Sequence, residues 1–164
     1  MLQTSVTWDR QRSDLRTFHA SPPVVDGPED RNGRRNADEI AYASGLIDQL
    51  PTPFVLLANT NLDPFDSEGH NAVMRQLLAH PKLQDPQPAS MGGQASANAQ
   101  HRGPARLDTV DWPDPRAGNL RVNYILPSRD LVVHDGGVHW PAQARPAPPA
   151  NSPRLVWQEV SLPR

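Results

Sequence analysis

The sequence predicts a mixed α/β fold, and three segments carry that prediction. Asn36 stands three residues before Glu39, an N-cap with its capping-box partner. Ile40, Ala43, Ile47 and Leu50 follow at helical spacing until Pro51 stops the run. Pro53 to Ala58 (PFVLLA) is a continuous apolar run of strand length, which suits a strand covered on both faces. Leu155 to Val160 (LVWQEV) alternates as a closing strand does.

Taken along the chain, Leu15 to His19 (LRTFH) reads as a short strand ending in a loop. The stretch from Ala20 to Arg35 (ASPPVVDGPEDRNGRR) is too rich in Pro, Gly and Asp for regular structure. An amphipathic helix is expected from Ala37 to Leu50. The buried strand after it delivers Asn59-Thr60-Asn61-Leu62-Asp63-Pro64 at its C-terminal end, where polar side chains can converge. A second, shorter helix is expected over Glu68 to Ala79, with Val73, Leu77 and Leu78 inward and Pro81 beyond it. Residues 84–106 are poor in large apolar side chains and read as a long mobile loop. Asn119 to Leu126 and Asp130 to His134 read as a pair of strands around a turn at Pro127-Ser128, and 141–153 as a flexible Pro-rich loop. The pattern is β-α-β-α-loop-β-β-loop-β, one domain over 1–164 rather than a doubly wound series.

Composition narrows the possibilities. The 164 residues are 37% hydrophobic and 21% charged, enough for a core of moderate size. A formal charge of −2 provides no broad field for nucleic acid or an anionic membrane, so nucleic acid is not an expected partner. No apolar run approaches the ~20 residues of a membrane span. The N-terminal MLQTSVTWDRQR has no apolar h-region, so no signal peptide is expected, and the compartment stays open. The absence of cysteine excludes disulfides and thiolate metal sites. A single lysine, Lys82, stands against 15 arginines, which fits a coding bias better than phosphate recognition.

Five segments in order carry a resemblance: SPPVVDGPEDRNGRRNADEI, PFVLLANTNLDP, LDTVDWP, GNLRVNYILPS and RLVW. From Thr17 to Val160 the chain resembles the endonuclease/exonuclease/phosphatase family of metal-dependent phosphoesterases. The resemblance implies part of a four-layer α/β/β/α sandwich with mixed sheets. In such enzymes a divalent cation and a nucleophilic water attack a phosphoester, served by a Gly-Asp-x-Asn motif and a Ser-x-His motif. Mg²⁺ or Mn²⁺ wants charged oxygen ligands, and a base must reach the attacking water.

The chain departs from that pattern where the chemistry sits. Gly-Asp-x-Asn has become Ala58-Asn59-Thr60-Asn61, retaining Asn61 but not the carboxylate. The acid of Arg-Val-Asp-Tyr has become Asn123, and the histidine of Ser-x-His-Arg has become Pro153. The match begins about half-way through such a domain, so the family's metal-ligating Glu is missing. Asn keeps the shape of Asp but loses its charge and offers a donor where an acceptor is needed. Loss of one catalytic member costs roughly 10⁴ to 10⁶ in rate, and three are changed here. The expectation is a degenerate protein without its own metal, with a structural or protein-binding role. The alternatives are a Mg- or Mn-dependent hydrolase completed by a partner chain, or a module that holds a phosphorylated ligand.

Other candidates stay open between two roles. Arg31, Arg34, Arg35 and Asn36 could hold a phosphate through bidentate donors, or pin their own loop together with Asp26 and Asn32. His19 matches a histidine at the family's active-site rim, yet a hydrogen-bonded structural role competes. Asp63 and Asp111 match family positions as well. His134 and His139 are five apart and so face opposite ways on a strand, as surface histidines. Asp108, Asp111 and Asp114 read as solvated turn residues, or as a weak cation site. Half a sandwich would leave the apolar face of Phe54 to Leu57 exposed, which predicts a protein partner or self-association.

Overall fold

The computed structural model describes residues 2–8, 11–113, 117–142 and 152–162. Asp114 and residues 143–151 of the Pro-rich loop lie outside the described residues. In chain order the elements are β1 (Leu2–Trp8), β2 (Gln11–His19), α1 (Arg31–Ile47), β3 (Phe54–Asn59), α2 (Asn71–Leu78), α3 (Met91–Ser96), β4 (Val110–Asp111), β5 (Asn119–Leu120), β6 (Asn123–Pro127), β7 (Val132–His139) and β8 (Leu155–Ser161). A 3₁₀ turn, Ala105–Leu107, lies between α3 and β4. The fold class is the mixed α/β one that the sequence predicts.

One sheet organises the chain, in the order β1-β2-β3-β6. β1 runs antiparallel to β2, β2 parallel to β3, and β3 antiparallel to β6. The apolar run of β3 is therefore paired on both edges, as its unbroken hydrophobicity requires. Phe54, Leu56 and Ala58 of β3 pack with Tyr124 and Leu126 of β6 on one face. Ile40 and Ile47 of α1 and Met74 and Leu77 of α2 cover them. β4 pairs with β5, and β7 with β8, as two further ribbons.

The elements differ from the sequence reading in instructive ways. α1 begins at Arg31, six residues before the predicted start, with Asp30 at its N-cap in the left-handed region at φ 52°. Asn36 is not the cap but a buried residue inside the helix. Its side-chain amide donates to the Ser21 carbonyl at 2.6 Å and the Thr60 carbonyl at 2.8 Å. Glu39, expected as the capping-box partner, instead accepts from the Ser21 amide at 2.6 Å and hydroxyl at 3.1 Å. Tertiary hydrogen bonds to the preceding loop thus outcompete the local cap. At the other end the single lysine closes the helix: Lys82 Nζ donates to the carbonyls of Ile47, Asp48 and Leu50.

The first predicted strand is longer, Gln11–His19, and β1 precedes it. Residues 84–106, read as an irregular loop, carry α3 and most of the 3₁₀ turn, with Ser90 capping α3 through the Gly93 amide. The predicted strand over 119–126 is split between β5 and β6. These do not pair with β7: β6 joins β3, while β7 joins β8 across 15 intervening positions of mostly Pro-rich sequence. The expected open face is largely closed as well. Phe54, Val55 and Leu56 are buried and Leu57 is half-buried, with β8 lying beside β6. The large apolar side chains that remain exposed lie elsewhere, chiefly Val25 at 95%, Met91 at 73%, Tyr42 at 70% and Leu155 at 67%.

Replacing Asn36 by Ala strands two buried carbonyls, each worth about 1–3 kcal/mol when unsatisfied. Chemical denaturation of Asn36→Ala is expected to show a loss of about 2 kcal/mol or more, whereas Arg34→Ala on the exposed side of α1 changes little.

Candidate functional site

The register of the central sheet sets three candidate residues in one row. His19 of β2 is opposite Asn59 of β3, and Asn59 is opposite Asn123 of β6. Directly opposed residues share a face, with Cβ atoms about 5 Å apart. The row lies at the C-terminal end of β3, on the face away from α1 and α2, because Leu56 and Ala58 face the helices and alternate strand residues point the other way.

Asn61 completes the row by turning back. It adopts a left-handed φ of 49°, which Asn tolerates well. Its amide N–H donates to Asn59 Oδ1 at 3.0 Å. Its side-chain amide donates to the Ala20 carbonyl at 2.8 Å and meets His19 Nε2 at 3.2 Å. An amide nitrogen has no lone pair to give, so His19 Nε2 is the acceptor and the ring proton sits on Nδ1. With Asn59 Oδ1 engaged, the Asn59 amide group presents N–H donors outward.

Thr109, which the sequence reading passed over, holds the other side. Buried completely, its hydroxyl oxygen faces the amides of Val122 (3.0 Å) and Asn123 (3.1 Å) and the Asn123 side-chain amide (3.3 Å). Its carbonyl accepts from the Arg154 amide at 2.8 Å. Pro153, exposed, is thereby placed one residue from this junction. The Arg154 guanidinium stacks 4.4 Å over the Trp140 ring and lies 4.0 Å from Asp111.

Behind the row lies a buried charged cluster. Asp63 accepts from the amides of Phe65, Asp66 and Arg121, at 2.6, 2.8 and 2.9 Å. Burial raises its pKa, and those hydrogen bonds only partly oppose it. Arg121 forms a bidentate pair with Asp85 at 2.6 and 2.7 Å and lies 4.5 Å from the Tyr124 ring centre. Burial alone would lower the Arg121 pKa, but the Asp85 hydrogen bonds outweigh it and the net shift is upward. Burial also raises the Tyr124 hydroxyl well above its ordinary value. Asp108 is pushed up to about 8, first by burial and then by the charges of Asp63 and Asp66. A cavity of 420 Å³ opens beside this cluster, walled by Pro64, Phe65, Leu78, Pro104 and Leu107.

The remaining candidates lie apart. Arg31, Arg34 and Arg35 are exposed on the first turns of α1, and Arg35 pairs with Glu39 at 2.9 Å. The Asp26 carboxylate accepts from the Asn32 amide, and Asn32 donates to the Val24 carbonyl at 2.8 Å, so these two pin the loop before α1. His134 and His139 are exposed on β7, and His134 meets the Ser161 hydroxyl at 2.7 Å. Among the described residues, no group of three or more His, Asp or Glu side chains is placed to hold a metal ion. The sequence reading missed His101 and Asp66, which fall in no motif or periodic pattern, and Thr109, which lies inside the LDTVDWP segment but was not singled out there.

The sequence profile of the Endonuclease/Exonuclease/phosphatase family matches residues 3–159. No curated protein matches the chain. Among solved structures, an endonuclease/exonuclease/phosphatase from Beutenbergia cavernae DSM 12333 is similar with a TM-score of 0.59 at 15% identity, over 98% of this chain and 38% of that one. A beta toxin variant from Staphylococcus aureus with bound magnesium ions gives 0.49 at 13% identity, over 96% and 52%. Sphingomyelinase C from Streptomyces griseocarneus gives 0.48 at 12% identity, over 96% and 52%. The chain thus spans between 38% and 52% of the length of these structures.

The raised Asp108 carboxyl makes stability depend on pH. Between the ordinary aspartate value of 3.8 and about 8 the folded protein holds a proton that the unfolded chain releases, so stability falls as pH rises through that window. Asp108→Asn cannot ionise and escapes this loss. Its melting temperature should therefore gain on that of the unmodified protein by roughly 3 °C or more between about pH 5 and about pH 8. A constant difference across the range would contradict the assignment.

Proposed function

The chain belongs to the endonuclease/exonuclease/phosphatase family, and we propose that it keeps that phosphoesterase-type fold without hydrolytic chemistry of its own, serving as a structural or protein-binding subunit. The observation that carries this reading is the row His19, Asn59, Asn123. The family's resemblance puts carboxylates at two of these positions, and neutral amides stand there. Mg²⁺ and Mn²⁺ need charged oxygen ligands, and two amides with a neutral imidazole do not fit that demand. Pro153, beside the Thr109 junction, has no side-chain group to take or give a proton. The partner half of the proposal rests on the exposed apolar side chains of the β7–β8 ribbon, Val132, Leu155 and Trp157. No helix among the described residues is long and apolar enough to cross a bilayer.

The purified chain with Mg²⁺ or Mn²⁺ is expected to release no p-nitrophenol from bis(p-nitrophenyl) phosphate or p-nitrophenyl phosphate above the buffer rate. Turnover that requires the metal and disappears with EDTA would overturn the proposal. In the combined variant Asn59→Asp, Asn123→Asp, Pro153→His, Mn²⁺ binding by calorimetry should appear where the unmodified chain shows none. The partner reading has its own check: the protein isolated from its source should run well above 18.1 kDa, and a clean monomer removes it.

A further inference from the structure

Phe65 stands on the loop after β3 with 44% of its surface exposed, yet its neighbours fix it in place. Its amide donates to Asp63 Oδ1 at 2.6 Å, and its carbonyl accepts from the Arg102 guanidinium. Gly103 comes so close that a Cβ there would stand 3.0 Å from the Phe65 ring. Asp66 holds that approach by accepting from the Arg102 and Gly103 amides, both at 2.7 Å. His101 lies behind, its Nε2 3.5 Å from Asp66 Oδ2 and 3.4 Å from Asp108 Oδ2. An apolar ring tied down at the surface in this way is a wall formed before any ligand arrives.

The ring lines two adjoining recesses. On one side is the 420 Å³ cavity, where Pro64, Leu78, Pro104 and Leu107 continue the apolar lining. Of the acids that line it, Asp63 is engaged by backbone amides, Asp85 by both terminal nitrogens of Arg121, and Asp108 is buried. On the other side a recess of 360 Å³ is lined by His70, Asn71 and Arg102. Arg75, exposed on α2, borders both. It donates through Nη1 to the neutral Pro64 carbonyl at 2.6 Å, and among the described residues it pairs with no carboxylate. Arg102, by contrast, has Asp66 3.5 Å from its Nε, and His70 is tied to Asp30 at 2.8 Å. One guanidinium is therefore left without a counter-charge at the rim of an apolar cavity.

We propose that these two recesses bind a small aromatic monocarboxylate, its ring in the cavity against Phe65, Leu78 and Leu107 and its carboxylate on the Arg75 guanidinium. The flat faces of Phe65, Pro64 and Pro104 suit a planar ring. The guanidinium fork suits a carboxylate, whose two oxygens accept parallel N–H bonds. A phosphate monoester would bring nearly two negative charges to one free cation, with Asp66 close by, so the charge balance favours the monoanion. The site is separate from the row of His19, Asn59 and Asn123, none of which lines either recess. Its test is accordingly independent of whether the chain hydrolyses phosphoesters.

Titration of the purified chain with hydrocinnamate, followed by calorimetry and by amide chemical shifts, tests the site. Saturable binding is expected with a Kd of roughly 5 mM or below, in keeping with so small a ligand. The shifts should centre on Phe65, Arg75 and Leu107 and leave the α1 amides in place. Hydrocinnamamide, of the same shape without the charge, should bind about fivefold more weakly or worse, and Arg75→Gln should weaken hydrocinnamate binding to the same degree. Arg129→Gln removes another exposed guanidinium that bonds a carbonyl, that of Pro81, and should leave binding unchanged. No saturable binding, equal affinity for acid and amide, or equal affinity in Arg75→Gln overturns the proposal. Tighter binding of phenyl phosphate than of hydrocinnamate overturns it too, in favour of a phosphate head group.

Discussion

The register of β3 between its two neighbours is the constraint on which the rest depends. Its apolar side chains on one face meet α1 and α2, and its other face ends in Asn59 between His19 and Asn123. Strand residues alternate, so a slip of one position would turn Leu56 and Ala58 away from the helices and Asn59 into the core. Burial of Phe54 and Leu56 therefore fixes the site as firmly as it fixes the core. The loop before α1 is fastened to the same strand end, since Asn36 reaches both the Ser21 and the Thr60 carbonyls.

Charge is distributed in two layers around that strand end. The row is built of amides and an imidazole whose hydrogen bonds within the fold go to neutral partners. The acids lie behind it, in the buried cluster of Asp63, Asp66, Asp85 and Asp108, where backbone amides and Arg121 hold most of them. Most of these carboxylate oxygens are engaged within the scaffold. Asp108 is the exception, since its Oδ2 finds no hydrogen bond and its carboxyl stays protonated near neutrality instead.

The face of the central sheet away from α1 and α2 is largely covered: Val55 is buried and Leu57 half-buried. Part of the apolar surface that remains is carried by the β7–β8 ribbon, where Leu155 and Trp157 stand out while Trp140 and Arg154 are buried and stacked, and the rest by Val25, Tyr42 and Met91.

The sequence by itself determined the family, the mixed α/β class, the buried strand and the chemical identity of the row, because side-chain type and apolar spacing are local properties. Asn59, Asn123 and Pro153 could be read as lost acid and base without knowing where they lie. Only the tertiary structure decided which residues meet. Asn36 looked like a cap by spacing and is a buried tie, because carbonyls from Ser21 and Thr60 reach it from 15 and 24 residues away. The role of Thr109 was not legible even inside the LDTVDWP segment, since a hydroxyl gains its role only when distant partners arrive around it. A hydrogen bond depends on convergence in space, and for these residues the convergence is set by strand pairing rather than by sequence distance.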